Sequence, residues 1–309
     1  MLGVRLSVSS SAIACRAASR LRSGSYLLRM ELGQIGIWRR HQEGLDHLAE
    51  IEALGYGILW LGSSPSVAQA RPFLEASSTL VVATGILNIW RHDAADVAVD
   101  HGELRRAFPG RFLLGIGVGH PEATSEYRRP LAAMRTFFDG LDAGPEPVPR
   151  EERMAAALGP KMLEPAGERS LGAHPYFVPV EHTRIARETL GPGALLGPEV
   201  AVVVEADDER ARERARSYAA TYLAASNYIR NLERLGFTER DFADGGSDRL
   251  VDHVVVWGDE ATIATRVQAH LDAGADHVCV QAVTGAERTD FPRAEWRALA
   301  PALVGLTRR

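Results

Sequence analysis

The stretch EIEALGYGILWLG (50–62) joins the end of an amphipathic helical pattern to a short apolar run through a Gly-containing joint. The same phrase returns as ELRRAFPGRFLLGIGVG (103–119), GERSLGAHPYFVP (167–179) and AHLDAGADHVCVQ (269–281). In each, the joint takes two or three residues, and a glycine at a helix C-terminus stops the helix because it adopts left-handed backbone without a Cβ penalty. This is the helix-to-strand half of a repeated βα unit.

Working outward, eight strands are expected at 32–38, 57–62, 80–87, 112–117, 173–177, 200–205, 253–257 and 277–282. Helical patterns separate them, including 126–142 with 151–169, 207–235 and 259–273. Asp93, Asp207 and Asp259 stand where N-caps belong. Runs such as LVVATGIL and VAVVVEA are apolar on both faces, as parallel strands covered by helices require. Eight units predict an α/β fold, a (β/α)8 TIM barrel, with PEPVPRE (145–151) in an insertion after strand 4. A doubly wound open sheet is the rival, but GIGVG lacks the third glycine of a dinucleotide fingerprint.

The chain has 309 residues and a formal charge of −5. Residues 1–30 hold five arginines, seven serines and no acid, so the remaining 279 residues carry −10. This basic, Ser-rich leader is set apart from the fold, as a targeting segment or as upstream sequence read from too early a start; 31–309 form one domain. An acidic body argues against nucleic-acid binding, which needs local cation. No apolar run is long enough to span a membrane. The two cysteines, Cys15 and Cys279, build neither a disulfide framework nor a metal cluster, and a cytoplasmic location is expected.

In a barrel of this kind the site forms at the C-terminal ends of the strands. Trp38, Trp60, Trp90 and Trp257 follow apolar runs and are expected to line the mouth with flat rings. His92, His120 and His174 occupy the same tier, and imidazole can move a proton near neutral pH or hold an anion. No HExxH or GxSxG motif is present, so no metal site is expected and nucleophilic hydrolysis is disfavoured. The strand end Gly117-Val118-Gly119 and the loop Gly172-Ala173-His174 expose backbone N–H groups without obstruction, a cradle for an elongated phosphorylated ligand.

The segments LGQIGIW (32–38), TGILNIW (84–90), FPGRFLLGIGVGHP (108–121), LGPKMLEPAGERSLGAHPYFVP (158–179) and WGDEATIATRVQAHLDAGADHVCVQ (257–281), in this order, resemble the luciferase-like monooxygenase superfamily. Within it they are most similar to the coenzyme F420-dependent oxidoreductases. The resemblance implies a homodimeric barrel that binds a deazaflavin at its mouth and moves a hydride to or from a small organic substrate. It further implies a non-prolyl cis peptide at Asn88-Ile89 under the ring, Trp38 at the border of ring and substrate, and phosphate contacts at 117–119 and 172–174. The chain departs from the family after strand two, where LGSSPS (61–66) replaces an Asp-His pair. Ser63 and Ser64 are poor acids, so His92 and His120 become the candidate proton donors. FMN with monooxygenase chemistry and a non-catalytic flavin-binding barrel remain the alternatives. The anionic F420 tail calls for a cationic lip, expected from Arg91, Arg128 or Arg129.

Overall fold

The computed structural model describes residue 30 and residues 32–41, 44–285 and 291–308. Residues 1–29 of the leader, Cys15 among them, lie outside the described residues. In chain order the strands are β1 (Ile35–Arg40), β2 (Ile58–Gly62), β3 (Val81–Thr84), β4 (Leu87–Asn88), β5 (Phe112–Gly117), β6 (Arg153–Ala155), β7 (Gly172–Ala173), β8 (Leu195–Leu196), β9 (Glu199–Val204), β10 (Val255–Gly258) and β11 (Val278–Ala282). The α-helices are α1 (Leu48–Ala53), α2 (Arg71–Glu75), α3 (Ala94–Ala107), α4 (Pro130–Ala143), α5 (Pro160–Arg169), α6 (Val180–Leu190), α7 (Asp208–Leu223), α8 (Ser226–Arg234), α9 (Glu239–Phe242), α10 (Asp248–Val254), α11 (Glu260–Asp272) and α12 (Arg293–Leu303).

All strand pairings are parallel, in the order β10-β9-β11-β1-β2-β3-β5-β6-β7-β8, with β4 beside β5. The sheet curls until β8 and β9, separated only by Gly197 and Pro198, meet as one bent stave. A few hydrogen bonds join the ring there: Leu195, Gly197 and Glu199 N–H donate to the carbonyls of Leu171, Ala173 and Pro175, and Cys279 N–H donates to Pro198. Strand alternation sorts the side chains. Trp38, Ile58, Trp60, Ala83, Leu113 and Cys279 share the inner cluster, whereas Ile37, Leu59, Leu61, Val82, Leu114 and Val280 face the helices. The expected caps are in place: the carboxylates of Asp93, Asp207 and Asp259 accept from the N–H groups of Ala95, Arg210 and Thr262.

Three expected boundaries are corrected. Residues 153–155 form a stave, β6, inside the stretch read as helix; three residues are too few for a period to show. The 253–257 run is not a stave, because β10 pairs only with β9 and lies outside the ring. The 80–87 run breaks into β3 and β4 at Gly85-Ile86. After β5 the chain makes a crossover through α4. The long addition instead follows β9: α7, α8 and α10 build a second apolar cluster on Ala201, Val203 and Val255. This segment crosses the barrel mouth and walls the site.

Candidate active site

A cavity of about 910 Å³ opens at the C-terminal ends of the staves, within the range of about 300–1,000 Å³ usual for small-molecule sites. Trp38 forms part of one wall. Its place depends on Gly62, where an added Cβ would fall 1.8 Å from the indole Cζ2. Trp38 Nε1 donates to the Gly85 carbonyl at 3.2 Å, and Gly85 and Ile86, joined by the non-prolyl cis peptide, also line the cavity. The cis bond therefore lies three residues before the expected Asn88-Ile89 step, at the break between β3 and β4.

Of the residues singled out from the sequence, Trp38, Asn88, Val118, Gly119, His120 and His174 line the cavity. Asn88 Oδ1 accepts from Trp90 N–H at 3.0 Å, and an added Cβ on Gly119, whose φ is +60°, would stand 3.0 Å from the Asn88 amide. His120 Nδ1 donates to Asn227 Oδ1 at 3.0 Å, a carbonyl oxygen that can only accept. His174 is buried, stacks on Trp60 with ring centroids 4.1 Å apart, and donates from Nδ1 to the Gly197 carbonyl at 2.7 Å. Burial lowers its pKa to about 4, so it is neutral and its Nε2, which has no protein partner, is an acceptor.

Five of the other expected residues, His92, Ile89, Gly117, Gly172 and Ala173, lie elsewhere. His92 is half-buried and does not line the cavity. Ile89 packs into the outer core. Gly117 and Gly172 serve close packing: added Cβ atoms would meet Ile86 at 2.9 Å and the Leu195 carbonyl oxygen at 1.8 Å. Ala173 is likewise core. Among the tryptophans only Trp38 lines the mouth. Trp60 is wholly buried among the inner side chains and donates to His277, Trp90 donates to the Val118 carbonyl, and Trp257 stacks under Arg212. Trp60 fits the barrel interior because His174 gives it a flat partner and His277 an acceptor.

Arg91 lines the cavity, but Arg128 and Arg129 do not. Its companions went unread in the sequence: Arg39, Arg40, Lys161, Arg230 and Arg234. Among the described residues that line the cavity with these six cations there is no Asp or Glu. Tyr218, Tyr222 and Tyr228, from α7 and α8, complete the wall. The available signal was their crowding, three of the chain's seven tyrosines within eleven residues of a charged helical stretch.

Among the described residues no helix is long and apolar enough to cross a membrane, and no group of three or more His, Cys, Asp or Glu could hold a metal ion.

Fold and site together define a parallel α/β barrel with a small-molecule cavity at the C-terminal ends of its staves. Residues 27–139 match the family model of the luciferase-like monooxygenases. A search of curated protein sequences finds no match. Among solved structures, an F420-dependent secondary alcohol dehydrogenase in complex with an F420-acetone adduct is 15% identical, with a TM-score of 0.68 over 88% of this chain and 98% of that one. The coenzyme F420-dependent tetrahydromethanopterin reductase from Methanopyrus kandleri gives the same figures. The oxygenating constituent of 3,6-diketocamphane monooxygenase from Pseudomonas putida, in complex with FMN, is 13% identical with a TM-score of 0.61, over 89% of this chain and 98% of that one. These likenesses are of fold.

Proposed function

We propose that the chain is a coenzyme F420-dependent oxidoreductase that transfers a hydride between the deazaflavin and a small organic substrate in this cavity. One observation carries the reading: Arg40, Arg91, Lys161, Arg230 and Arg234, beside Arg39, line a cavity with no carboxylate among its described lining residues, in a protein whose body is acidic. One phosphate needs fewer cations than this. A ligand with a phosphate and further carboxylates, as F420 has, matches the set better than FMN.

The residues present fit such a ligand. Trp38 and the Gly85-Ile86 backbone offer a flat, apolar seat for a ring. Arg91, Lys161, Arg230 and Arg234 stand where they would hold anionic groups, and bare backbone at Gly119 leaves room beside them. When bound, the deazaflavin supplies or accepts the hydride. The protein orients the substrate against Trp38, presents the neutral His174 Nε2 as an acceptor, and excludes water with the α7–α8 wall. As the resemblance of its sequence implies, the protein is proposed to act as a homodimer.

Fluorescence titration of the purified chain with F420 and, in parallel, with FMN tests the reading. F420 is expected to bind more tightly, and Arg230→Ala with Arg234→Ala to weaken it at least tenfold. Strong FMN binding with none for F420 would overturn the assignment in favour of an FMN monooxygenase. Tight F420 binding with no hydride exchange against any acceptor would indicate a non-catalytic barrel.

A further inference from the structure

With His92 away from the cavity and two serines after β2, His120 is the one expected proton donor that lines the site, and the inner wall holds a second group able to serve. Tyr176, Tyr218, Tyr222 and Gln281 all line the cavity. Their oxygens form a continuous cluster: Tyr176 Oη lies 2.7 Å from Tyr222 Oη, 2.5 Å from Gln281 Oε1 and 3.0 Å from Tyr218 Oη. Tyr218 Oη lies in turn 3.1 Å from Glu199 Oε1. Glu199, the first residue of β9, is 1% exposed, and its second oxygen accepts from Phe177 N–H at 3.1 Å. The Trp38 ring, part of the seat proposed above, lies 6.0 Å from that of Tyr176.

We propose that Tyr176 gives a proton to, or takes one from, the substrate oxygen in this cavity, and that the buried carboxyl of Glu199 is the reservoir behind it, connected through Tyr218. The hydride half of the reaction rests on the function proposed above; the proton path rests on these oxygens alone.

The titratable groups that face Glu199 are Tyr176 from the loop after β7, Tyr218 from α7, Tyr228 from α8 and Cys279 from β11. Among the described residues, no cation is one of them. A buried carboxylate without one is costly, and burial raises the Glu199 pKa to about 8, against which the Phe177 and Tyr218 hydrogen bonds only partly act. At neutral pH the carboxyl group thus holds a proton on Oε1 and donates it to Tyr218, Tyr218 donates to Tyr176, and Tyr176 donates at rest to Gln281 Oε1, from which its O–H turns toward a substrate oxygen in the cavity. Moving one hydrogen along each bond reverses the chain without moving a heavy atom. As a substrate carbonyl carbon accepts a hydride, its oxygen takes the Tyr176 proton, the π pair becomes the O–H bond, and Glu199 is left as carboxylate. Alcohol oxidation runs the same steps backward. The tyrosines, whose pKa values burial holds well above 10, never accumulate as phenolates.

Infrared spectroscopy of the full chain without cofactor tests the path. At about pH 6 a protonated-carboxyl carbonyl band is expected that disappears with a midpoint near 8 and is missing in Glu199→Gln. On transfer to D2O the band shifts as the carboxyl proton exchanges, and Tyr218→Phe, which removes only a hydroxyl, should slow that exchange tenfold or more with an unchanged thermal midpoint. If Glu199→Gln does not fold, the band's pH midpoint and the Tyr218→Phe exchange rate decide. Absence of a protonated carboxyl band that titrates near 8, or unchanged exchange in Tyr218→Phe, overturns the proposal. Neither outcome depends on which cofactor the titrations favour, so the two readings fail separately.

Discussion

Gly62 and Trp38 show how one residue sets the position of another. The indole fills the space in which any Gly62 side chain would begin, so Gly62→Val must push Trp38 into the cavity or out of the barrel. Overpacking of this kind costs about 1–3 kcal/mol; a lower thermal midpoint and altered tryptophan fluorescence are expected, together with weaker F420 binding. Glu199 carries a different prediction. Its pKa in the folded protein, about 8, lies above the ordinary carboxyl value of 4.5, so between those values the folded state holds a proton that the unfolded state has lost. Stability therefore falls as pH rises through this window, by about 1.4 kcal/mol per unit at most. Chemical denaturation of the wild type and of Glu199→Gln should show the variant gaining relative stability from pH 5 to 8 and no further gain above.

At the scale of elements, the α7–α8 pair decides what the barrel mouth becomes. Asp207 caps α7 by accepting from Arg210 N–H at 3.0 Å, and Ala211, Ala215 and Tyr218 bury one face of the helix on Ala201 and Val203. That anchoring turns Thr221 and Tyr222 toward the cavity, while α8 adds Tyr228, Arg230 and Arg234. Because these residues wall the site, ligand binding should slow amide hydrogen exchange over 208–234 more than over α3 or α12; equal protection everywhere would remove the wall from the binding event. Asp207→Ala should cost about 1 kcal/mol through the lost cap, visible as a lower denaturant midpoint.

Across the whole molecule, buried histidines set the acid limit. His101, His174, His182 and His277 have pKa values lowered to about 4, and His270 to about 3, in each case chiefly by burial. The unfolded chain binds protons on them near 6.5, before the folded chain does, so stability should fall as pH drops from about 6.5 toward 4. Thermal midpoints measured at pH 7 and pH 5 check this; an unchanged midpoint would mean that these imidazoles are not neutral in the folded state. Opposed by Glu199 on the alkaline side, the histidines place the stability maximum near pH 6 to 7.

The barrel class was legible in the sequence because its signals are local. Glycine joints, N-cap aspartates and apolar alternation act within a few residues, and they recur once per unit. β6 escaped because three residues carry no period, and β10 was counted as a stave because its apolar run does not reveal which strands it will meet. Trp38, Asn88, Gly119, His120 and His174 were found at the mouth because strand ends point there by topology. The cation set apart from Arg91, and the Glu199–Tyr218–Tyr176–Gln281 cluster, were decided by tertiary structure alone. Their members are spread over strands, a loop and a helix far apart in sequence, and only the pairing of β9 with β11 and the passage of α7 across the mouth bring those oxygens within hydrogen-bonding distance.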